Sequence, residues 1–339
     1  MSSATATRSG GVATPDRAEP LKVRKHSPLY ARRTRAAWGF ALPFVLLFTV
    51  FTAGPVLMSL AMALTDLKSR DLRDPFAVEF VGLENFIAVV QDPVFRKAAA
   101  NTAYFVLIGV PLALAVSLGI AVILNSGVTR LKTFFRVGYY MPVVTSIVAV
   151  AVVWRFLLHP ESGLINDVLS WFGVQGPNWL GSTTWAMPSM IAMATWRSIG
   201  TLIIIFLAGL QGVPTSLHEA AALDGAGAWQ RFRFITLPTM RPTILFGAVI
   251  MGIGYVQFFE EPFVMTQGGP LNSTLSVAFH TYNQFGFGNY GYAAAMSYVL
   301  FLAVVVLTLV QFRFLGERDE TKRRRRRKPT VVARQEIGR

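Results

Sequence analysis

The stretch PTSLHEAAALDGAGAWQRFRFITLP, residues 214–238, lies between two long apolar runs at 186–210 and 243–265 and reads unlike either. It is too polar to cross a bilayer and too rich in helix formers to be a plain loop. Pro214 and Ser216 are helix-start signals, and Ser216 with Glu219 has the spacing of a capping box. Ala220 to Leu223 favour helix, and Gly225 can take the left-handed conformation that ends one. A second short helix is expected from about 228 to 235, stopped by Pro238. The segment thus predicts two short helices at an angle, held close beneath the ends of membrane-crossing helices.

Working outward, a helix needs roughly 20 apolar residues to cross a bilayer. Six runs qualify, at about 38–64, 98–124, 137–158, 186–210, 243–265 and 292–315. Composition agrees. The 339 residues are 53% hydrophobic and 15% charged, where soluble domains carry about 25% charge. Mean hydropathy is +0.46, and a water-soluble chain so composed would have too little polar surface to cover itself. The first apolar run sits behind a basic tail and is too long for the apolar part of a signal peptide, so no cleavable leader is expected. There is no cysteine, hence no disulfide framework and no thiolate metal site.

The formal charge of +14 is distributed unevenly. Most of the 32 Lys and Arg fall in the N-terminal tail, in the loops at 125–136 and 211–242, and beyond Arg313, while the loops at 159–185 and 266–291 hold none. The loop at 65–97 is the one dissenter. The bias places both termini in the cytoplasm. The run Lys322–Lys328 could suit nucleic acid, but a basic run just past a last span reads first as an anchor on anionic lipid, worth about 1 kcal/mol per residue, so nucleic acid is not an expected partner. The expected organisation is a disordered basic cytoplasmic tail at 1–35, a six-helix membrane domain at 36–316 and a second basic tail at 317–339.

The docking of motifs in this chain resembles a known family. Glu219-Ala220-Ala221, then Gly225, Ile235 and Leu237-Pro238, reproduce in every spacing the cytoplasmic motif of ABC importer permeases, and Asp224, Ala226 and Phe232 match its carbohydrate branch. Gly82-Leu83-Glu84-Asn85-Phe86, Asp92-Pro93, Asn101-Thr102, Met141-Pro142, Trp154, Gly200 and Thr266-Gln267-Gly268-Gly269-Pro270 extend the likeness to sugar permeases of the maltose type over about 80–316. The chain departs from the maltose permease in lacking a large periplasmic insertion, and at Glu260-Glu261-Pro262, where Phe-Asp is commoner. The resemblance implies an all-α integral membrane protein with six transmembrane helices, the type I (MetI-like) importer permease fold and a cytoplasmic coupling helix. It implies that Ser216, Glu219, Ala220, Ala221, Asp224, Gly225, Ile235, Leu237 and Pro238 dock an ATPase. The implied partners are a second homologous permease, two ABC ATPase subunits, an extracytoplasmic sugar-binding protein and the lipid bilayer. ATP and magnesium would sit on the ATPase subunits, with no cofactor on this chain; the chain itself has no G-x-x-x-x-G-K-[ST] phosphate loop. It also has no nucleophile or zinc-protease motif, and its four histidines show no metal-ligand spacing, so it is not expected to be an enzyme.

Ionisable residues inside spans are functional candidates by default. Gly247, Gly254, Gln257 and Glu261 recur at intervals that place them on one face of a continuous fifth helix. That stripe either lines the translocation cavity, with Gln257 and Glu260 or Glu261 bonding sugar hydroxyls, or is a glycine packing seam ending in glutamates at the wet interface. Arg197 either faces the pathway or pairs with Glu260 or Glu261. Trp196 beside it offers a sugar-stacking face, though Trp is equally an interface anchor. Asn283 is a weaker candidate. The leading function is the membrane-spanning permease subunit of an ATP-driven importer for a sugar or oligosaccharide. The alternatives are the same machinery carrying glycerol-3-phosphate or a polyol, and a membrane sensor without transport. A phosphorylated cargo would want several cations, and the spans offer mainly Arg197; the docking motif counts against a sensor.

Overall fold

The computed structural model describes residues 28–73, 78–125 and 132–315. The residues before position 28 and the tail from 317 onward, read above as basic cytoplasmic tails, lie outside these described residues. Among the described residues the chain is helical, with a single isolated bridge between Thr65 and Phe80. It divides into two compact units, 1–58 and 59–339.

In the first unit, α1 runs Pro28–Phe48, so helix begins inside the stretch assigned to the tail. Proline is suited to a first helical turn, where its missing N–H has no partner to lose. A π-helical turn, Thr49–Ala53, leads into α2, Gly54–Ala63. Pro55 supplies no N–H to the helical ladder, and the slip at 49–53 absorbs that gap. From residue 37 on, the side chains of this helix are almost all exposed, including Phe40, Phe44 and Phe51. A helix apolar all round needs lipid or another apolar surface as its solvent.

The second unit is organised on α4, Pro93–Asn125, which packs along α8, Ala186–Gln211. Around this pair stand α3 (Glu84–Gln91), α5 (Lys132–Val144), α6 (Ile147–Leu157), α7 (Leu164–Trp171), α9 (Thr215–Leu223), α10 (Ala228–Arg231), α11 (Leu237–Thr239), α12 (Arg241–Val256), α13 (Glu260–Met265), α14 (Val277–Gly286) and α15 (Tyr290–Leu315). Close approach is built in by small residues. A Cβ at Gly200 of α8 would collide with the carbonyl of Tyr139 on α5, so glycine sets how near those helices lie. Gln311 of α15 donates to the Ala248 carbonyl of α12 at 3.0 Å. Leu107, Phe301, Leu302 and Leu309 remain exposed, as lipid-facing positions should.

Among the described residues, four helices are long and apolar enough to cross a membrane: 37–63, 93–125, 186–211 and 290–315. The two remaining crossings are bent or broken, which corrects the continuous helices expected at 137–158 and 243–265. At the third crossing, the α5 segment Gly138–Val144 meets α6 at 114°. Pro142 removes a ladder hydrogen bond there, Thr145 bonds back to the Met141 carbonyl, and Ser146 turns extended. At the fifth crossing, α12 has 16 residues, about 24 Å of helix, short of a hydrocarbon core about 30 Å thick. It enters at a 67° bend, at Met240, and stops at Val256. Gln257 to Phe259 form a break, and α13 resumes beyond it. Pro262 accounts for the break: it has no N–H to offer Phe258, but is tolerated in the first turn of a new helix.

Candidate functional site

Two features stand out: the segment after α8 and a polar cavity among α6, α8, α12 and α13. In the first, Pro214 is extended (ψ 126°) and α9 starts directly after it, with no side-chain cap. Ser216 is therefore the second residue inside the helix, and the expected Ser216–Glu219 capping box does not form. Glu219 lies past the four N–H groups that lack a helical partner and is exposed. The other end is fastened locally. Ala226 N–H donates to Ala221 O at 2.8 Å and Gly225 N–H to Ala222 O at 3.1 Å, the two bonds of a Schellman end. Gly225 has φ +80°, and a Cβ there would meet nothing within 4 Å. Glycine is required by conformation, not by crowding within this chain.

The second short helix also differs from expectation. It opens at α10, where Gln230 Oε1 accepts the Gly227 N–H at 2.8 Å, passes through a π-helical turn at Phe232–Thr236 and continues through α11. Pro238 does not stop it. The turn directs Leu237 N–H to Phe232 O, and this slip accommodates a residue with no N–H to give. The motif residues divide between two faces. Ile235 packs into the core cluster of Phe206, Leu210, Val213 and Met240. Glu219, Ala220, Asp224 and Gly225 are exposed, Pro238 and Leu237 are also exposed, and Ala221 is half-buried. Beside them, Leu223 is 90%, Trp229 68% and Phe234 70% exposed. A cleft of about 360 Å³ separates the segment from the ends of α4 and α8, lined by Asn125, Gln211, His218 and Arg231 among others.

The polar cavity, about 190 Å³, is lined by Arg197 and Ser198 of α8, Gly254 and Tyr255 of α12, Gln257 of the break, and Glu260 and Glu261 of α13. Sequence periodicity does not assemble it. The continuous face through Gly247, Gly254, Gln257 and Glu261 is interrupted at Gln257. Gly247 turns to Leu202, Leu114 and Phe206 as a packing position, while Gly254 faces open space. The break after Val256 redirects the glutamates toward α8, and Arg155 of α6 holds α13 by donating to the Val264 carbonyl at 3.2 Å.

Glu261 is 7% exposed. Its Oε2 and the Nε of Arg197 are both buried without a hydrogen-bond partner. The considered Arg197–Glu260 or Arg197–Glu261 ion pair is not among those formed by the described residues. Trp196 lies outside the cavity lining, its ring 5.9 Å from that of Trp154. Asn283 is also elsewhere, on α14, where its carbonyl accepts the Phe287 N–H. Ser198 and Tyr255, joined hydroxyl to hydroxyl at 3.1 Å, escaped sequence reasoning because neither carries a charge at neutral pH and Tyr255 sits in an apolar run.

The opposite end of α4 is also tied together. Asp92 Oδ1 accepts the Val94 N–H at 2.8 Å, and its Oδ2 accepts the Tyr292 hydroxyl at 2.9 Å and lies 3.3 Å from His280 Nε2. Burial pushes this carboxyl up, but the Val94 N–H, Tyr292, His280 and the Phe95 N–H outweigh it and hold the group below the usual carboxylate range. Nearby, Asn101 Nδ2 donates to the carbonyls of Asn272 and Leu275, at 2.7 and 2.9 Å, and Thr102 accepts the Val277 N–H. These bonds seat the 266–276 loop on α4.

The fold and these features define a multi-pass membrane protein with an exposed short helical segment after α8 and a polar cavity among its helices. The chain belongs to the family of binding-protein-dependent transport system inner membrane components, which it matches over residues 94–315. It is 36% identical over 287 residues to the lactose transport system permease protein of Rhizobium radiobacter, covering 83% of this chain and 94% of that one. It is 33% identical to the arabinooligosaccharides transport system permease protein of Bacillus subtilis, covering 85% and 91%, and 30% identical to the trehalose/maltose transport system permease protein of Thermococcus litoralis, covering 85% and 96%. The same MetI-like fold occurs in a bacterial ABC transporter involved in the import of the acidic polysaccharide alginate, with TM-score 0.68, 24% identity and coverage of 85% and 98%.

Proposed function

We propose that this chain is one permease subunit of an ATP-driven importer for a sugar or oligosaccharide, and that it docks its ATPase through α9 to α11. The observation that carries the docking assignment is the exposure of Leu223, Trp229 and Phe234 on a short, locally fastened helical segment. Large apolar side chains on a segment too polar to cross a bilayer call for a protein partner. The sugar class rests on the relatives with 30% identity or more. A short helix closed at its C-terminal end by its own backbone moves as one body, so force from the partner reaches α8 and α12 directly. Nucleotide and magnesium belong to the partner subunits. A second permease completes the pathway, and an extracytoplasmic binding protein delivers the sugar. Both termini face the cytoplasm, as the Lys and Arg bias requires.

The cavity between α8, α12 and α13 is the cargo contact made by this subunit, with Arg197, Gln257, Glu260 and Glu261 as its polar groups. Reconstituted with its binding protein, second permease and ATPases, the complex should accumulate labelled oligosaccharide only with ATP. Sugar-stimulated ATP hydrolysis without accumulation would reduce the chain to a sensor and overturn the assignment.

A further inference from the structure

Arg197 and Glu261 face one cavity from different helices, both carry buried polar atoms, and they do not bond to each other. Glu261 is buried and Arg197 half-buried, and a buried polar atom without a partner is costly, so Glu261 Oε2 and Arg197 Nε each wait for something the chain does not supply. A hydroxyl answers both needs, because it donates to a carboxylate and accepts from a guanidinium. Glu260 adds a second carboxylate to the same lining. An anionic cargo would gain one cation and meet two carboxylates.

We propose, resting on the sugar-importer reading above, that this cavity selects uncharged saccharides and that Glu260 and Glu261 exclude acidic ones. The substrate class is a neutral, polyhydroxylated sugar, with vicinal hydroxyls spanning Arg197 and Glu261. Phosphorylated and uronate-bearing cargoes fall outside it. The volume of about 190 Å³ is below the range of about 300–1,000 Å³ typical of complete ligand sites, so the subunit grips a single sugar unit and the partner permease completes the enclosure.

The test uses the whole transporter in proteoliposomes, with matched labelled neutral and uronate-terminated disaccharides offered with the binding protein. Equilibrium binding of both sugars to the nucleotide-trapped complex without binding protein isolates the cavity from upstream selection. The wild type should favour the neutral sugar by at least about tenfold in both measurements, since like charges in contact cost several kcal/mol. E260Q/E261Q should raise the acidic-to-neutral ratio about tenfold, and R197Q should lower it. Equal handling of the two sugars by the wild-type complex, or ratios that neither variant moves, would overturn the charge selection while leaving sugar import standing. ATP-driven turnover with no uptake or binding of either sugar would instead overturn the sugar reading, and this inference with it.

Discussion

Ala226 N–H donates to the Ala221 carbonyl at 2.8 Å, closing α9 across a left-handed Gly225. The exposed helix α9 is thus finished by its own backbone and needs no tertiary contact to stop where it does. Its shape is fixed before any partner arrives, which limits the ordering that docking must bring about.

Replacing Gly225 with Leu forces a side chain onto φ +80°, a local strain of roughly 1–2 kcal/mol. The added side chain meets nothing in this chain, so folding and membrane insertion should persist. ATP-driven uptake should be lost, because the bulk is placed on the docking face. Quantitative membrane recovery beside vesicle uptake separates the two effects; normal uptake would sink the docking assignment.

Glu219→Gln discriminates between two roles that sequence left open. The helix begins at Thr215 without a Ser216 cap, so stability should change by no more than about 0.5 kcal/mol. If Glu219 contributes charge to the partner contact, coupling of ATP hydrolysis to uptake should fall about tenfold, the equivalent of 1.4 kcal/mol. Thermal unfolding measured alongside sugar-stimulated ATPase activity reads both; a variant that unfolds early would return Glu219 to a structural role.

Asn101→Ala removes both bonds to the Asn272 and Leu275 carbonyls. Two lost hydrogen bonds, with acceptors left partly buried, should destabilise the protein by about 2 kcal/mol. The 266–276 loop should become the first site of protease cleavage, which timed digestion followed by mass spectrometry would locate. Cleavage confined to other segments would show that the loop is held from elsewhere.

Asp92 makes stability depend on acid. Its carboxyl is held below its ordinary value, so the folded state favours the ionised form. The stabilisation is complete above the unfolded value, near pH 4, and disappears as pH falls through the lower folded value. Asp92→Asn should flatten that part of the curve of melting temperature against pH below about pH 4. An unchanged acid limb would assign the dependence to other carboxylates.

Much of the fold was legible because its signals are local or periodic. Apolar runs of crossing length mark the helices whatever they pack against, and a left-handed Gly225 after Ala220–Leu223 ends a helix by backbone geometry alone. The polar cavity was legible only in part. Arg197, Gln257, Glu260 and Glu261 announced themselves as polar groups in apolar runs, whereas Ser198 and Tyr255 did not. Pro262 breaks the run 243–265, so Gly254, Gln257 and Glu261 reach one cavity through a break and not along a continuous helix face, and Gly247 packs elsewhere.

The sequence by itself determined the medium, the helical class and the end of α9 at Gly225, because those depend on composition, near-neighbour hydrogen bonds and the conformational limits of glycine and proline. Tertiary structure alone decided how Pro142 and Pro262 break their crossings and which side chains the second break delivers to α8. A proline dictates that a hydrogen bond is missing, not the direction the chain takes afterwards. That direction follows from long-range contacts, such as Arg155 holding the end of α13. The placement of Arg197 and Glu261 on one cavity, unbonded to each other, is a consequence of that packing.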